Sequence, residues 1–196
     1  GGPPILTIAV IPSVAICWLI PRLGHFRAVA PGPGVRVIYA LHGQPIDFAD
    51  VDVAVVFAEA PPVLPAMTVT PFLPGRTVPV CAPHIGRPGS AEEMLGAGLL
   101  HDTDASGWRA WFDASGAAEL AVAEGPVFED FNLLRAAALA GQGVALCPPA
   151  IIADDLREGR LLLLSETSIR DSYGYYVVSA TEPDAQRGPA IEAFLG

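Results

Sequence analysis

The sequence has 196 residues, 52% of them hydrophobic and 16% charged, so it can bury a sizeable core as one large domain or two small lobes. A formal net charge of −10 argues against direct nucleic-acid binding, because phosphate contacts need clustered Lys and Arg and only 11 are spread along the chain. Mean hydropathy is high at +0.44, yet no apolar run approaches the roughly 18–20 uninterrupted residues of a membrane span; the longest, Val14 to Leu23, is cut by Pro21.

Ile5 to Ile11 is a short continuous apolar run, the pattern of a strand buried on both faces. It ends at Pro12-Ser13, and Val14 to Leu19 reads as a helix with Ser13 as its N-cap. Gly32-Pro33-Gly34 breaks the chain before a second strand, Val35 to Leu41, and Asp52 to Phe57 gives a third. Strand, helix, strand in this order predicts a largely parallel sheet with helices on its faces. Prolines then punctuate Val63 to Val80, leaving extended pieces at Met67 to Phe72 and Thr77 to Ala82.

Ser90-Ala91-Glu92-Glu93 matches a capping box and opens a short helix. Leu99 to Asp102 reads as a strand, Trp108 to Phe112 as a helix, and Asp130 to Gln142 as a longer helix capped by Asp130 and stopped at Gly141-Gln142-Gly143. Val144 to Cys147 is extended, Pro148-Pro149 starts another helix, and Leu161 to Leu164 is extended again. Tyr173 to Ser179 forms a last strand and Pro189 to Leu195 a closing helix, both expected to return to the first lobe. The organisation expected is 1–80 for the first part of lobe I, 81–170 for lobe II and 171–196 for the return, with crossings near Cys81–Pro83 and Ser168–Tyr173.

The chain begins without a basic segment followed by an apolar core, so no signal peptide is visible. Cys17, Cys81 and Cys147 are odd in number, far apart and set in apolar surroundings. They read as buried reduced thiols of a cytoplasmic protein and predict neither a disulfide framework nor a metal site. The four histidines, His25, His42, His84 and His101, likewise lack metal spacing, and no cofactor is expected.

Four segments in register resemble the effector-binding domain of LysR-type transcriptional regulators, in the subgroup controlling glycine-cleavage and β-lactamase genes. They are Pro12-Ser13-Val14-Ala15 with Trp18-Leu19-Ile20-Pro21-Arg22-Leu23 and Phe26; Asp47-Phe48 with Asp52-Val53-Ala54; Trp108 with Trp111-Phe112; and Gly125-Pro126, Phe128 and Asp130 followed by Ala136-Ala137 through Leu146. The resemblance implies an α/β fold of two Rossmann-like lobes joined by two crossover strands, like a type 2 periplasmic binding protein, with a small-molecule effector held between the lobes. It also implies a homodimer, in which the first helix and second strand of one subunit meet a later helix and strand of another, and a tetramer in the full-length form. DNA would be bound only through a winged helix-turn-helix that in the family precedes the position of Ile5; these 196 residues contain none, and the Gly1-Gly2 start reads as that of a fragment. One departure touches the site. Many relatives carry Arg and Gly at the end of the third strand, where this chain has Phe57-Ala58; loss of the Arg removes a bidentate carboxylate donor.

Ligands of open α/β sheets sit beyond the carboxyl ends of the strands, beside helix N-termini. That logic, with the resemblance, nominates Ser13, Val14 and Phe57 in the first lobe and His101, Asp102, Phe128 and Asp130 in the second. Tyr173 and Tyr175 near the second crossing offer hydroxyls. Each has an ordinary alternative: a helix cap for Ser13 and Asp130, core packing for Phe57, a structural histidine for His101, and edge-of-strand packing for the tyrosines. No G-x-S-x-G elbow, H-E-x-x-H, P-loop or G-x-G-x-x-G is present, so the expectation is a sensor, not an enzyme. The rival reading is a stand-alone solute receptor of a transport system, which would share the fold but need an export signal.

Overall fold

The computed structural model describes residues 4–29, 32, 34–41 and 43–196. The Gly1-Gly2-Pro3 start, Pro33 in the expected chain break and His42 lie outside the described residues. The chain forms two compact units, Gly1–Leu73 with Tyr173–Gly196, and Pro74–Ser172. Among the described residues no helix is long and apolar enough to cross a membrane.

The first unit is built on a five-stranded sheet in the order β2-β1-β3-β10-β4, comprising β1 (Ile5–Val10), β2 (Gly34–Tyr39), β3 (Val53–Ala58), β4 (Met67–Pro74) and β10 (Gly174–Ala180). β1 lies parallel to both neighbours, with Ile8 opposite Val37 on one side and Val53 on the other. All of Leu6 to Val10 is buried, Thr7 being its one polar residue, which is why this strand reads as a near-continuous apolar run and not as an alternation. The expectation of a largely parallel sheet fails at β10: it runs antiparallel to β3, Val177 opposite Val55. The chain re-enters this unit from the other one and needs no helical crossover, so a parallel pairing is not imposed.

The helix after β1 begins earlier and ends later than its pattern suggests. Pro12–Val14 is α-helical, Ala15–Leu19 π-helical and Ile20–Val29 α-helical, in one unbroken run. Ser13 is not the N-cap. Ile11 takes that place in extended conformation, Pro12 occupies the first turn, and the cap makes no side-chain hydrogen bond. Proline lacks an N–H and has its φ pre-set, so it suits the first helical position and moves the start ahead of Ser13. Nor does Pro21 end the helix. The π-helical turn just before it, where the Ile20 N–H reaches back to the Ala15 carbonyl, opens the backbone where a proline ring would otherwise strike the carbonyl four residues earlier. The same wide turn divides the helix's apolar residues: Leu19 is buried, whereas Ile16 and Ile20 face out.

The second unit contains a three-stranded antiparallel sheet, β8-β5-β9, and a two-stranded parallel pair, β6-β7. These are β5 (Val78–Cys81), β6 (His101–Asp102), β7 (Val127–Phe128), β8 (Ala145–Cys147) and β9 (Leu162–Leu163). The W-x-x-W-F segment lies in the helix Ser106–Ala114 and is the centre of this unit's core. Trp108, Trp111 and Phe112 meet edge to face and pack with Met94, Leu99 and Val144. Each indole finds a partner: the Trp108 Nε1–H donates to the Leu100 carbonyl at 2.8 Å, and that of Trp111 to Thr167 at 2.9 Å. The capping box is complete, Ser90 accepting from the Glu93 amide and Glu93 from the Ser90 amide. Helix Phe131–Leu139 buries Leu134, Ala137 and Ala138 and ends before Gly141, whose φ of 74° a side chain would resist. After Pro148-Pro149 the chain makes turns first, and the helix is the shorter Ala153–Arg157.

Candidate functional site

In the first unit, β1 and β3 end side by side while antiparallel β10 starts at the same edge, so Tyr175 pairs with Phe57 and Gly174 with Ala58. That pairing gathers three aromatic rings. Phe57 stacks on Tyr173 with centroids 5.1 Å apart and planes 23° apart, and its ring centroid lies 4.9 Å from that of Tyr175. Phe57 and Tyr173 remain partly exposed, while Tyr175 is buried. Beyond the adjacent end of β1, Ser13 and Val14 occupy the first helical turn. The Ala15 N–H, which donates to the Ile11 carbonyl at 3.0 Å, is the first amide there with a helical acceptor. The amides of Ser13 and Val14 precede it and have no helical acceptor among the described residues, which leaves two donors at the positive end of the helix dipole. Buried Ser13 thus keeps a site chemistry without the capping role first assigned to it.

In the second unit, β6 and β7 end together, His101 opposite Val127 and Asp102 opposite Phe128, and two helices begin just beyond. Asp130 caps the helix Phe131–Leu139 as expected, accepting from the Asn132 amide at 2.6 Å. Phe128 is half-buried against the core around Leu134. His101 is 2% exposed, and its Nε2 lies 3.0 Å from the Ala123 carbonyl. A carbonyl only accepts, so this contact makes Nε2 the protonated nitrogen. Nδ1 is buried without a hydrogen-bond partner among the described residues. The ring therefore packs under the Ala123–Gly125 segment, where a Cβ on Gly125 would lie 2.2 Å from the Leu99 carbonyl oxygen.

Asp102 is the reactive contrast. Burial pushes its carboxyl above the ordinary aspartate range, and the Arg170 guanidinium and Thr103 hydroxyl only partly offset that. Asp104 is held below the range by hydrogen bonding from Ser106, whose amide donates at 2.8 Å. Arg170 lines a small recess with Asp102, Asp104, Gly107 and Trp108. The sequence reading missed Arg170, because it sits in a segment with no periodic pattern. Its only advance signal is being the sole cation between Arg160 and Arg187. Both Thr103 (φ 67°) and Arg170 (φ 59°) adopt left-handed backbone here, a cost that side chains rarely meet outside constrained sites. The recess thus offers a cation, two carboxylates and a helix start within one unit.

A protein-family model described as the LysR substrate binding domain matches residues 3–196. The glycine cleavage system transcriptional activator of Escherichia coli K12 is 32% identical over 178 residues, covering 88% of this chain and 57% of that protein. The HTH-type transcriptional activator AmpR of Rhodobacter capsulatus is 30% identical over 158 residues, covering 80% of the chain and 54% of that protein. The chain thus spans little more than half the length of the curated relatives it matches. Among solved structures, the effector domain of the transcriptional regulator AmpR of Pseudomonas aeruginosa superposes with a TM-score of 0.74 at 25% identity, covering 98% of this chain and 92% of that one.

Proposed function

This chain belongs to the LysR substrate binding domain family, and on that premise we propose that it senses a small effector and so controls DNA binding and transcription by a longer regulator. The relatives are transcriptional regulators, which favours this reading over a transport receptor and over a catalyst. A regulator of that kind works in the cytoplasm, where its DNA is. Its DNA contact would come from a winged helix-turn-helix outside the 196 residues, in keeping with the acidic charge of this part.

The observation that carries the proposal is the chemistry collected at the strand ends of each unit. In the first unit these are Ser13, Val14, Phe57 and Tyr173, and in the second Asp102, Phe128 and Asp130 with Arg170 added. His101 belongs to the set as a buried support that holds the Asp102 strand end. Free amides and a stacked aromatic pair suit a carbonyl or carboxylate on a flat or aliphatic body. Within the second unit, Arg170 supplies a guanidinium suited to a carboxylate. Effector binding then shifts a pre-existing equilibrium of the sensing domain, which the DNA-binding arms report.

A thermal-shift screen of amino acids, aromatic acids and cell-wall fragments tests the site, since a ligand of the native state raises the melting temperature. For the compound that binds, Ser13→Ala weakens affinity by about 1 kcal/mol if its hydroxyl donates one hydrogen bond. Calorimetry that shows unchanged affinity in a folded Ser13→Ala protein removes Ser13 from the site.

Oligomerisation is part of the same proposal. Ile16 and Ile20 are exposed on the first helix, Tyr39 at the end of the edge strand β2 and Leu41 just after it, while Val127 and Leu133 are exposed in the second unit. These are the faces that the family resemblance pairs between subunits, as a dimer and then a tetramer in the full-length protein. Sedimentation at micromolar concentration gives a dimer, and Ile16→Glu with Ile20→Glu gives a monomer. Monomeric behaviour of the parent chain counts against the reading.

A further inference from the structure

We propose a second small-molecule site, separate from the strand-end cluster of the first unit, that takes an amphipathic carboxylate on Arg36. The connection from β2 to β3 crosses over β1 with no helix among the described residues between Leu41 and Val53, where a helix would usually lie. Its apolar residues, Ile46, Phe48 and Val51, cover the sheet face over Ala9, Ala40, Ala54 and Val178. They do not reach the rest of that face. A groove of about 770 Å³ remains, floored by Thr7 and Ala9 of β1 and by Arg36 and Ile38 of β2. Strand pairing sets Thr7 opposite Arg36 and Ala9 opposite Ile38, so all four belong to one face. The volume falls in the range that small-molecule sites occupy, about 300–1,000 Å³.

The charges in the groove divide in a way that selects the ligand. Arg187 at its end is already satisfied: its Nη1 donates to buried Asp52 at 2.9 Å, and Asp52 also accepts the Thr7 amide at 2.7 Å. The Asp47 carboxylate holds the Ala49 amide at 2.9 Å, and Asp50, the other carboxylate of the lining, acts on Arg187. Arg36, by contrast, has no hydrogen bond or ion pair among the described residues. In a chain with 21 acidic residues against 11 basic ones, a guanidinium left without a carboxylate beside a groove is a vacancy for one. Its planar fork matches a carboxylate bidentately. The partly exposed Ile38 and Ile46 then receive an apolar body.

The probes are benzoate and hexanoate, with benzyl alcohol as the neutral control, titrated into the 196-residue protein and followed by amide and methyl NMR. Saturable shifts at Thr7, Ala9, Ile38 and Ile46 are expected, with benzyl alcohol weaker than benzoate. Arg36→Gln weakens benzoate by about tenfold, the loss of one charge-assisted contact, and Arg36→Lys retains part of the affinity. Arg36 is exposed on β2, the edge strand that the proposed dimer also uses, so sedimentation of both variants checks that the assembly as well as the fold is unchanged. Unchanged affinity in Arg36→Gln overturns the proposal, as do shifts that never saturate. Saturable shifts confined to the neighbourhoods of Phe57 or Asp102 overturn it too, because the acid then belongs to the effector site.

Discussion

Asp155 is the most heavily bonded carboxylate in the second unit, and removing it tests how that unit is held together. Its residue is 1% exposed. It accepts from Arg135 Nε at 2.6 Å and Nη2 at 2.8 Å, and from Arg160 Nε at 2.9 Å. The first pair ties helix Ala153–Arg157 to helix Phe131–Leu139 across 20 positions of sequence. Breaking a buried pair from one side costs about 3–5 kcal/mol, because a charge stays behind uncompensated. Here the residual charges differ: the Arg135 side chain is 22% exposed and that of Arg160 is 45% exposed. Arg160 recovers water, so Asp155→Ala falls near the lower limit, about 3 kcal/mol. For a chain of this size that is a melting shift of roughly 6–12 °C. Asp155→Asn keeps a neutral acceptor and loses about 1.5–3 kcal/mol. The pH dependence follows from the direction of the shift. Burial alone would raise this carboxyl, but the hydrogen bonds from Arg135 and Arg160 outweigh it and hold it below the ordinary range. A depressed folded-state value contributes stability that is full above the unfolded value and is lost as pH falls through the folded one. The wild type therefore loses this contribution below about pH 4, and Asp155→Asn lacks that component. Urea unfolding followed by circular dichroism across pH measures both. A loss under about 1 kcal/mol for Asp155→Ala, or parallel pH profiles for wild type and Asp155→Asn, refutes the reasoning.

Ser90→Ala removes a complete capping box and lowers stability by about 1 kcal/mol, read by denaturant midpoint. Gly141→Ala meets two obstacles, a φ of 74° and a Cβ that would lie 1.8 Å from the His84 ring; it costs more than the roughly 1 kcal/mol of a simple left-handed penalty, and Gly141→Ala with His84→Ala recovers the steric part. Asp102 carries the opposite linkage to Asp155: its carboxyl is raised chiefly by burial, so its protonation favours the fold, and the stability it lends is lost as pH rises through the folded value. Asp102→Asn therefore raises the melting temperature at pH 7 and not at pH 3; an equal effect at both values removes the carboxylate from the explanation.

Those positions also show why some of the molecule is readable from its residues and some is not. The core strands β1 and β3 are legible because both faces are buried, so Leu6 to Val10 and Val53 to Val55 are apolar at every position but Thr7. The capping box, the Asp130 cap and the Gly141 stop are legible because each solves a local backbone problem within four residues. Ser13 shows where that local logic fails. Serine and proline both suit a helix start, and the contest between them depends on where Ile11 must leave the sheet, which is a tertiary fact. Pro21 fails for the same reason, its clash being relieved by a π-helical turn that no proline rule contains. In the second unit, Asp102 was visible as the end of a short strand, but its raised carboxyl depends on burial and on Arg170, 68 positions away in a segment without periodicity. The Phe57–Tyr173 stack depends on an antiparallel pairing made after the chain has returned from the second unit. The residues most easily read are thus those whose partners are neighbours in sequence. The candidate site is assembled from residues whose partners are not, so its members could be nominated one by one while their combined chemistry, aromatic in one unit and ionic in the other, follows only from the fold.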